Sequence, residues 1–225
     1  MKKLLIVWSL LDFCLLAAGV LCIVTSIILT QPSQLIIGMM KDHFDFKMIG
    51  ISLGSTFIAG TVLAIPAIIS SYEKMALLKA LNWYLVVLAS LTLAFGSWVW
   101  MFSLEQISEF EQIWHRTPEA TQQAIQNKFS CCGYFNGTLS GGLITQAGFC
   151  TDSEMAASQP GCQTIITSAS SPGSDYTLSN IFTTIFGFEA IIAALFLATV
   201  CVINERNVAV RFKRIDEKRG GGGFV

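Results

Sequence analysis

Four long runs of apolar residues constrain the fold of this chain more than any other feature of its sequence. They cover residues 4–29, 48–69, 77–102 and 181–203. A membrane-spanning helix needs about 20 mostly apolar residues, because each residue advances it by about 1.5 Å across a hydrocarbon core of about 30 Å. Helices of soluble proteins have an apolar and a polar face, whereas these runs have no polar face. The sequence therefore predicts an all-α integral membrane protein with four transmembrane helices.

Composition narrows the functional classes. Charged residues make up 13% of the chain and the formal net charge is −1, whereas soluble domains usually carry about 25% charged residues. This low charge argues against a soluble enzyme and excludes a disordered chain, and nucleic acid is not an expected partner because it needs a basic face. Phosphate-cradling glycine loops, HExxH and GxSxG are missing from the sequence, and neither His43 nor His115 has an acid–nucleophile array. We predict no enzyme activity, no catalytic residue and no cofactor.

The placement of Lys and Arg predicts the orientation in the membrane. The first run continues to residue 29, too long for the 7–15 or so apolar residues of a signal peptide, so we predict an uncleaved first span. Ten basic residues lie on the side of the two termini: Lys2, Lys3, Lys74, Lys79, Arg206, Arg211, Lys213, Arg214, Lys218 and Arg219. The other side has four, over many more residues: Lys41, Lys47, Arg116 and Lys128. Cytoplasmic loops carry the excess of Lys and Arg, so we expect both termini in the cytoplasm. We also expect the protein to lie in the plasma membrane.

These boundaries divide the chain into eight segments. They are 1–30, the N-terminus and first span; 31–47, a small extracellular loop; 48–70, the second span; 71–76, a short cytoplasmic loop; 77–102, the third span; 103–180, a large extracellular loop; 181–203, the fourth span; and 204–225, a basic cytoplasmic tail. The tail is expected to bind anionic lipid, and no role is assigned to its glycine run at residues 220–223.

The large extracellular loop contains four of the seven cysteines: Cys131, Cys132, Cys150 and Cys162. Four cysteines on the oxidising side of a membrane predict two disulfides. Adjacent cysteines pair only through a strained ring, which leaves two of the three possible pairings open. A metal site is the alternative, but the CxxC spacing is missing and His115 is the loop's only other imidazole or thiolate ligand. We therefore predict a small, mostly helical, disulfide-bonded domain without metal.

Two helices are predicted in this loop before the cysteines. Leu104, Ile107, Phe110 (or Glu111) and Trp114 recur at helical spacing and form one stripe that can pack. The sequence Thr117-Pro118-Glu119 is typical of a helix start, with a hydroxyl cap and a proline at the first helical position. A second helix is expected from residue 119 to about residue 129.

Several residues are candidate modification or packing sites. Asn136 begins a glycosylation sequon in the outer loop. Cys201, near the inner end of the fourth span, is a candidate for palmitoylation, as is the deeper Cys14. The spans contain small residues that permit close helix approach, with internal packing as the expected use: Ala18, Gly19, Gly50 and Gly54.

Asp12, Asn82 and Glu189 are polar residues inside the predicted spans. Such residues normally face the bundle interior, and counting helix rise places Asp12 and Asn82 close enough in depth for a hydrogen bond. The expected role is packing. The alternatives are an ion or proton path lined by Asp12 and Glu189, or a pocket for lipid or sterol.

The arrangement of spans, loops and cysteines resembles the tetraspanin family over nearly the whole chain. The positions that carry the resemblance are Cys131-Cys132-Gly133, Gly161-Cys162, Asp12 with Gly19, and Glu73 with Leu77-Leu78. The short length and small loop are most similar to fungal members of the family, some of which act in polarised growth and host penetration.

The resemblance implies a function and a disulfide pairing. It implies that Cys131 pairs with Cys162 and Cys132 with Cys150. It also implies a membrane organiser that gathers other integral membrane proteins, identity unknown, through its large loop and spans, with homo-oligomers among the candidate assemblies. The alternative function is a small channel or transporter that uses Asp12 and Glu189.

Overall fold

The structure is a computed structural model, and it describes residues 2–31, 33–42, 45–70, 75–137, 148–150 and 153–219. Five features of the sequence analysis lie outside the described residues: His43, Glu73, Lys74, Thr138 of the sequon, and residues 220–223.

The described part of the chain is helical. Its elements are α1 (Lys2–Leu29), α2 (Leu35–Met39), a 3₁₀ turn (Met40–Asp42), α3 (Phe46–Ile69), α4 (Ala76–Leu104), α5 (Gln106–Arg116), α6 (Glu119–Phe129), α7 (Ser153–Ser158), α8 (Gln163–Ile166) and α9 (Ser174–Lys218). Among these residues no β-strand is present, and a single bridge joins Asn136 to Pro160. Helices α1, α3, α4 and α9 are long and apolar enough to cross a membrane. The predicted fold class, four transmembrane helices with a helical disulfide-bonded region, is confirmed.

The fourth long helix extends well beyond the hydrophobic run that predicted it. The run covers residues 181–203, whereas α9 begins at Ser174 and ends at Lys218. Hydropathy marks where a helix enters the membrane, but helix formation depends on backbone hydrogen bonding and propensity. The residues after 203 include several good helix formers, such as Glu205, Ala209 and Lys213, so the helix continues without a break.

The chain forms two compact units. The bundle unit comprises Met1–Val24, Ile51–Ala94 and Ile185–Val225, and the disulfide unit comprises Thr25–Gly50 and Phe95–Thr184.

The bundle unit buries a core of aliphatic and aromatic side chains. Leu15, Phe57, Leu85 and Leu195 are fully buried, and the Phe57 ring meets the Phe188 ring edge-on, with centroids 5.5 Å apart. Large apolar side chains also cover the outside of this unit, as lipid solvation allows: Ile6, Phe13, Val62, Trp83 and Leu197.

Gly19 of α1 and Gly54 of α3 bring their helices into close contact. A Cβ built on Gly54 would lie 2.6 Å from the carbonyl oxygen of Gly19, and one on Gly19 would lie 2.9 Å from that of Gly54. No side chain fits at this contact. Gly19 and Gly54 therefore serve internal packing, as predicted.

The disulfide unit has one main hydrophobic core. Phe110, Trp114 and Ile125 of α5 and α6 are buried there with Tyr134. The segment predicted as a small separate loop packs on the same core through Ile36, Ile37, Met39 and Met40. Burying these side chains on one core joins the two predicted extracellular loops into a single unit.

Candidate functional site

Helix α5 presents one face to the core of the disulfide unit. Phe110, Ile113 and Trp114 are buried, in agreement with the predicted stripe. Leu104 and Ile107 are 64% and 49% exposed, so their placement on that stripe was wrong. The break between α4, which ends at Leu104, and α5, which begins at Gln106, takes Leu104 out of the stripe. Ile107 lies in the first turn of α5, before the buried part of the stripe begins at Phe110.

The turn between α5 and α6 also differs from its prediction. Thr117 does not cap α6: its hydroxyl donates to the Ile113 carbonyl at 2.7 Å, while Pro118 occupies the N-cap position without a side-chain hydrogen bond. The buried Gln122 amide donates to the carbonyls of Trp114 at 2.7 Å and Thr117 at 2.8 Å. Carbonyls at the C-terminal end of α5 lack helical partners, and Gln122, which sequence reasoning missed, supplies donors for them.

Two disulfides close this unit. Cys131 bonds to Cys162, with Cα atoms 5.0 Å apart, and Cys132 bonds to Cys150, with Cα atoms 5.8 Å apart. The spacing of the cysteines had left two pairings open, and these bonds are the pairing that the tetraspanin resemblance implied. All four side chains are buried.

The segment after the paired cysteines runs against the segment before the last one. Cys162 N–H donates to the Gly133 carbonyl at 2.9 Å, and Cys132 N–H donates to the Pro160 carbonyl at 3.1 Å. A Cβ on Gly161 would overlap the carbonyl groups of Tyr134 and Phe135. Gly161 is thus required by the close approach of two backbones.

Tyr134 connects these two hydrogen-bonded segments to α5. Its hydroxyl donates to the Ile107 carbonyl at 2.7 Å, and its ring lies 6.0 Å from that of Trp114. Burial raises the pKa of Tyr134 above its usual range, and the nearby Glu111 carboxylate raises it further. The phenol therefore stays protonated and acts as a hydrogen-bond donor.

Two exposed apolar side chains flank Tyr134. Phe135 is 48% exposed and packs edge-on against the Tyr134 ring at 4.8 Å, while Ile107, whose carbonyl accepts the tyrosine hydroxyl, is 49% exposed. Exposed apolar side chains on a rigid disulfide-bonded support suit contact with another protein. We call Ile107 and Phe135 the apolar pair.

A cavity of about 190 Å³ lies elsewhere in the disulfide unit, lined by Gly38, Met39, Ile113, Arg116, Thr117, Pro118 and Thr121. Drug-sized ligand pockets are usually about 300 Å³ or larger. The cavity is therefore smaller than a typical cofactor site. His115, beside this region, is an exposed residue in the last turn of α5.

Asn136, the predicted glycosylation residue, is exposed next to its bridge with Pro160. Within the described residues, no group of three or more His, Cys, Asp or Glu side chains is placed to hold a metal ion.

The polar residues of the spans do not meet as the sequence suggested. Asp12 Oδ1, Asn82 Oδ1 and Glu189 Oε1 are buried oxygens without a hydrogen-bond partner among the described residues. The Asp12–Asn82 hydrogen bond that their depths allowed is not formed, because similar depth does not place two side chains on facing sides of their helices. The side chains of these three residues are each only partly buried.

Other polar side chains connect the spans instead. Trp8 of α1 donates from its indole nitrogen to the Thr199 hydroxyl of α9 at 3.0 Å, and the Tyr84 hydroxyl of α4 donates to the Thr56 carbonyl of α3 at 2.7 Å. The buried Arg206 of α9 donates to the carbonyls of Ile68 and Ser70 at the end of α3. These residues carried no motif that sequence reasoning used, and Arg206 was counted among the basic residues of the tail.

The two candidate palmitoylation sites differ in the exposure of their side chains. Cys201 is exposed on the surface of α9, whereas Cys14 is partly buried. Acyl transfer needs an accessible thiol, so the structure makes Cys201 the better candidate.

Comparisons of the chain with protein-family models, with curated proteins and with solved structures found no match.

Proposed function

We propose that this chain is a tetraspanin-like membrane organiser that gathers other integral membrane proteins laterally. The observation that carries the proposal is the pair of nested disulfides at Cys131-Cys132-Gly133, which closes a small helical unit between the third and fourth membrane helices. Such a unit needs no catalytic group to act. It presents a rigid surface, and binding energy at such surfaces concentrates in a few apolar and aromatic anchors.

The apolar pair, Ile107 and Phe135, is the proposed anchor for partners. Both side chains are about half exposed, and both are fixed through Tyr134. Because the support of these two side chains is rigid, this surface loses little conformational entropy when a partner binds. The proposed setting is the plasma membrane, with both termini in the cytoplasm, a glycan on Asn136 and an acyl chain on Cys201.

Site-specific photocrosslinking in cells tests this function. A photoreactive phenylalanine analogue is placed at Phe135 or at Ile107, and a matched control carries it at Gln112, an exposed position on another face of α5. We expect both test positions to crosslink to the same membrane-protein partner, identified by mass spectrometry, and Gln112 to give none. Equal crosslinking from all three positions would contradict a specific partner surface.

A small channel or transporter is a second candidate, favoured by one observation. Asp12 and Glu189 each keep a buried carboxylate oxygen without a hydrogen-bond partner among the described residues, and unsatisfied acids inside a membrane often mark ion or proton paths. Reconstitution of the purified protein in liposomes tests it. Proton or cation flux that Glu189→Gln abolishes would establish conduction, whereas the organiser predicts no flux and unchanged partner crosslinking in this variant.

A further inference from the structure

The cytoplasmic extension of α9 separates its charges onto two sides. Lys213 pairs with Glu217 at 4.0 Å, and Asp216 lies on the same half of the helix when positions are counted at 100° per residue. The opposite arc, a little under half of the circumference, contains no acid from residue 208 onward. Its members, which we call the basic–apolar face, are Val208, Arg211, Phe212, Arg214, Ile215 and Lys218. All six side chains are exposed.

Buried residues on the same helix show which way this face points. Leu195, Thr199 and Val202 are buried in the bundle core, and Arg206 continues their side of the helix by reaching the end of α3. The angular count places Lys213 on this inward side and Arg211 on the outward side. The outward side within the span carries the exposed Leu197, Val200 and Cys201. The basic–apolar face is therefore the continuation of the lipid-facing surface of the span.

We place the end of the hydrocarbon near Arg206, from the contacts of this residue with α3. Its contacts, Ile68 and Ser70, lie at the end of α3, whose last residue is the exposed apolar Ile69. Headgroups add about 5–7 Å beyond each side of the hydrocarbon core. Counted from Arg206, Arg211 lies about 8 Å and Arg214 about 12 Å along the axis.

The direction of helical side chains brings these two arginines back into the headgroup layer. Cα–Cβ bonds in a helix tilt toward its N-terminus, which for this part of α9 is the membrane. Arginine also extends its charged end toward the interface along an apolar stem. Val208 lies about 3 Å and Phe212 about 9 Å from Arg206, so both lie between Arg206 and Arg214 along the axis. Lys218, about 18 Å away, lies beyond the layer even when its side chain is directed back toward the membrane in the same way.

We propose that anionic lipid headgroups of the adjoining leaflet bind Arg211 and Arg214 on the lipid-facing side of α9, with Val208 and Phe212 in the interface. Charge complementarity and continuity with the span favour lipid over a soluble partner. The sequence suggested only a generally basic tail; the structure engages Arg206 with the end of α3, places Lys213 beside Glu217 on the inward side and puts Lys218 farthest from the membrane. This inference goes beyond partner gathering and needs only that α9 spans the membrane.

The test compares nanodiscs of phosphatidylcholine with nanodiscs of equal parts phosphatidylcholine and phosphatidylserine, each holding the full-length protein. Amide hydrogen exchange is measured over residues 207–216. We expect slower exchange in the anionic nanodiscs, and added salt should remove the difference because it screens the headgroups. Arg211→Gln and Arg214→Gln each remove one cation. Each should reduce about five-fold the factor by which the anionic nanodiscs slow amide exchange.

Two matched controls make the result specific. Lys213→Gln removes a cation at similar depth on the inward side and should not change the exchange. Lys218→Gln removes one on the same face beyond the headgroups and should change the exchange less than Arg211→Gln does. Equal exchange in the two nanodiscs would overturn the proposal, as would a loss with Lys213→Gln as large as that with Arg211→Gln. Protection that requires added cytosol instead of anionic lipid would assign the face to a protein and also overturn it. The nanodiscs contain no partner, so the outcome is independent of the organiser function.

Discussion

Arg206 Nη2 donates a hydrogen bond of 2.6 Å to the carbonyl oxygen of Ile68, and Nη1 donates at 3.2 Å to the carbonyl of Ser70. The last carbonyls of a helix have no partner within it. A buried guanidinium from α9 therefore caps the end of α3 and joins two membrane helices.

We expect Arg206→Gln to destabilise the protein by about 2–4 kcal/mol, since hydrogen bonds to a charged donor contribute about 1.5–3 kcal/mol each. Arg206→Lys should recover part of this loss, because lysine keeps the charge without the planar fork. Thermal unfolding of the detergent-purified protein measures both. Arg214→Gln is the control on the exposed part of the same helix. Equal melting temperatures for Arg206→Gln and Arg214→Gln would contradict a capping role.

Gly54→Ala should weaken the contact of α1 with α3. The new Cβ would lie 2.6 Å from the Gly19 carbonyl oxygen, so the helices must separate, at a cost of about 1–3 kcal/mol. Gly187→Ala is the matched control, because a Cβ there meets nothing within 4 Å, and replacing a helical glycine with alanine stabilises by about 0.5–1 kcal/mol. We expect the unfolding midpoints of Gly54→Ala and Gly187→Ala to move in opposite directions. If both midpoints moved in the same direction, the contact with Gly19 would be excluded as the cause.

Cys132→Ser and Cys150→Ser should reduce surface expression to a similar extent. Each substitution breaks the same bridge, which spans 18 residues, and closing such a loop contributes about 3 kcal/mol on the chain-entropy estimate. The double variant should be no worse than either single variant, since the bridge is lost once. Flow cytometry of intact cells measures the loss. A double variant that is much worse than both singles would mean that the cysteines act separately.

Tyr134→Phe should cost about 1–2 kcal/mol, because the Ile107 carbonyl loses its donor while the ring packing remains. The folded state holds the pKa of Tyr134 above its ordinary value of 10.0, so above that pH only the unfolded chain ionises. Tyr134 then makes stability fall as the pH rises past about 10, by up to about 1.4 kcal/mol per pH unit.

Urea unfolding between neutral and alkaline pH measures this slope. Tyr134→Phe should remove the contribution of one tyrosine, while the control Tyr176→Phe changes an exposed side chain. A slope that Tyr134→Phe leaves unchanged would contradict the titration of this phenol.

Asn136→Gln and Thr138→Ala should each abolish any glycosidase-sensitive shift in electrophoretic mobility. Asn136 is exposed, and either substitution removes the sequon. A shift that persists in both variants would place the sugar elsewhere.

Local patterns predicted much of the fold but few of the contacts. The buried pair Phe110 and Trp114 followed from helical spacing, yet Leu104 did not continue their stripe, because the helix is interrupted between α4 and α5. Periodicity assumes one unbroken helix. Whether a helix is interrupted depends on how the residues before and after the interruption pack. A local sequence pattern does not contain this information.

The amino-acid sequence by itself determined the four membrane helices and the presence of two disulfides. Both depend on properties that are local in the chain: the length of an apolar run, and the number of cysteines in one loop. Only the tertiary structure decided that Gly19 meets Gly54, that Arg206 caps α3, and that Asp12 and Asn82 remain apart. Those contacts depend on the rotation of each helix about its axis, which the packing of all the side chains in the unit sets together.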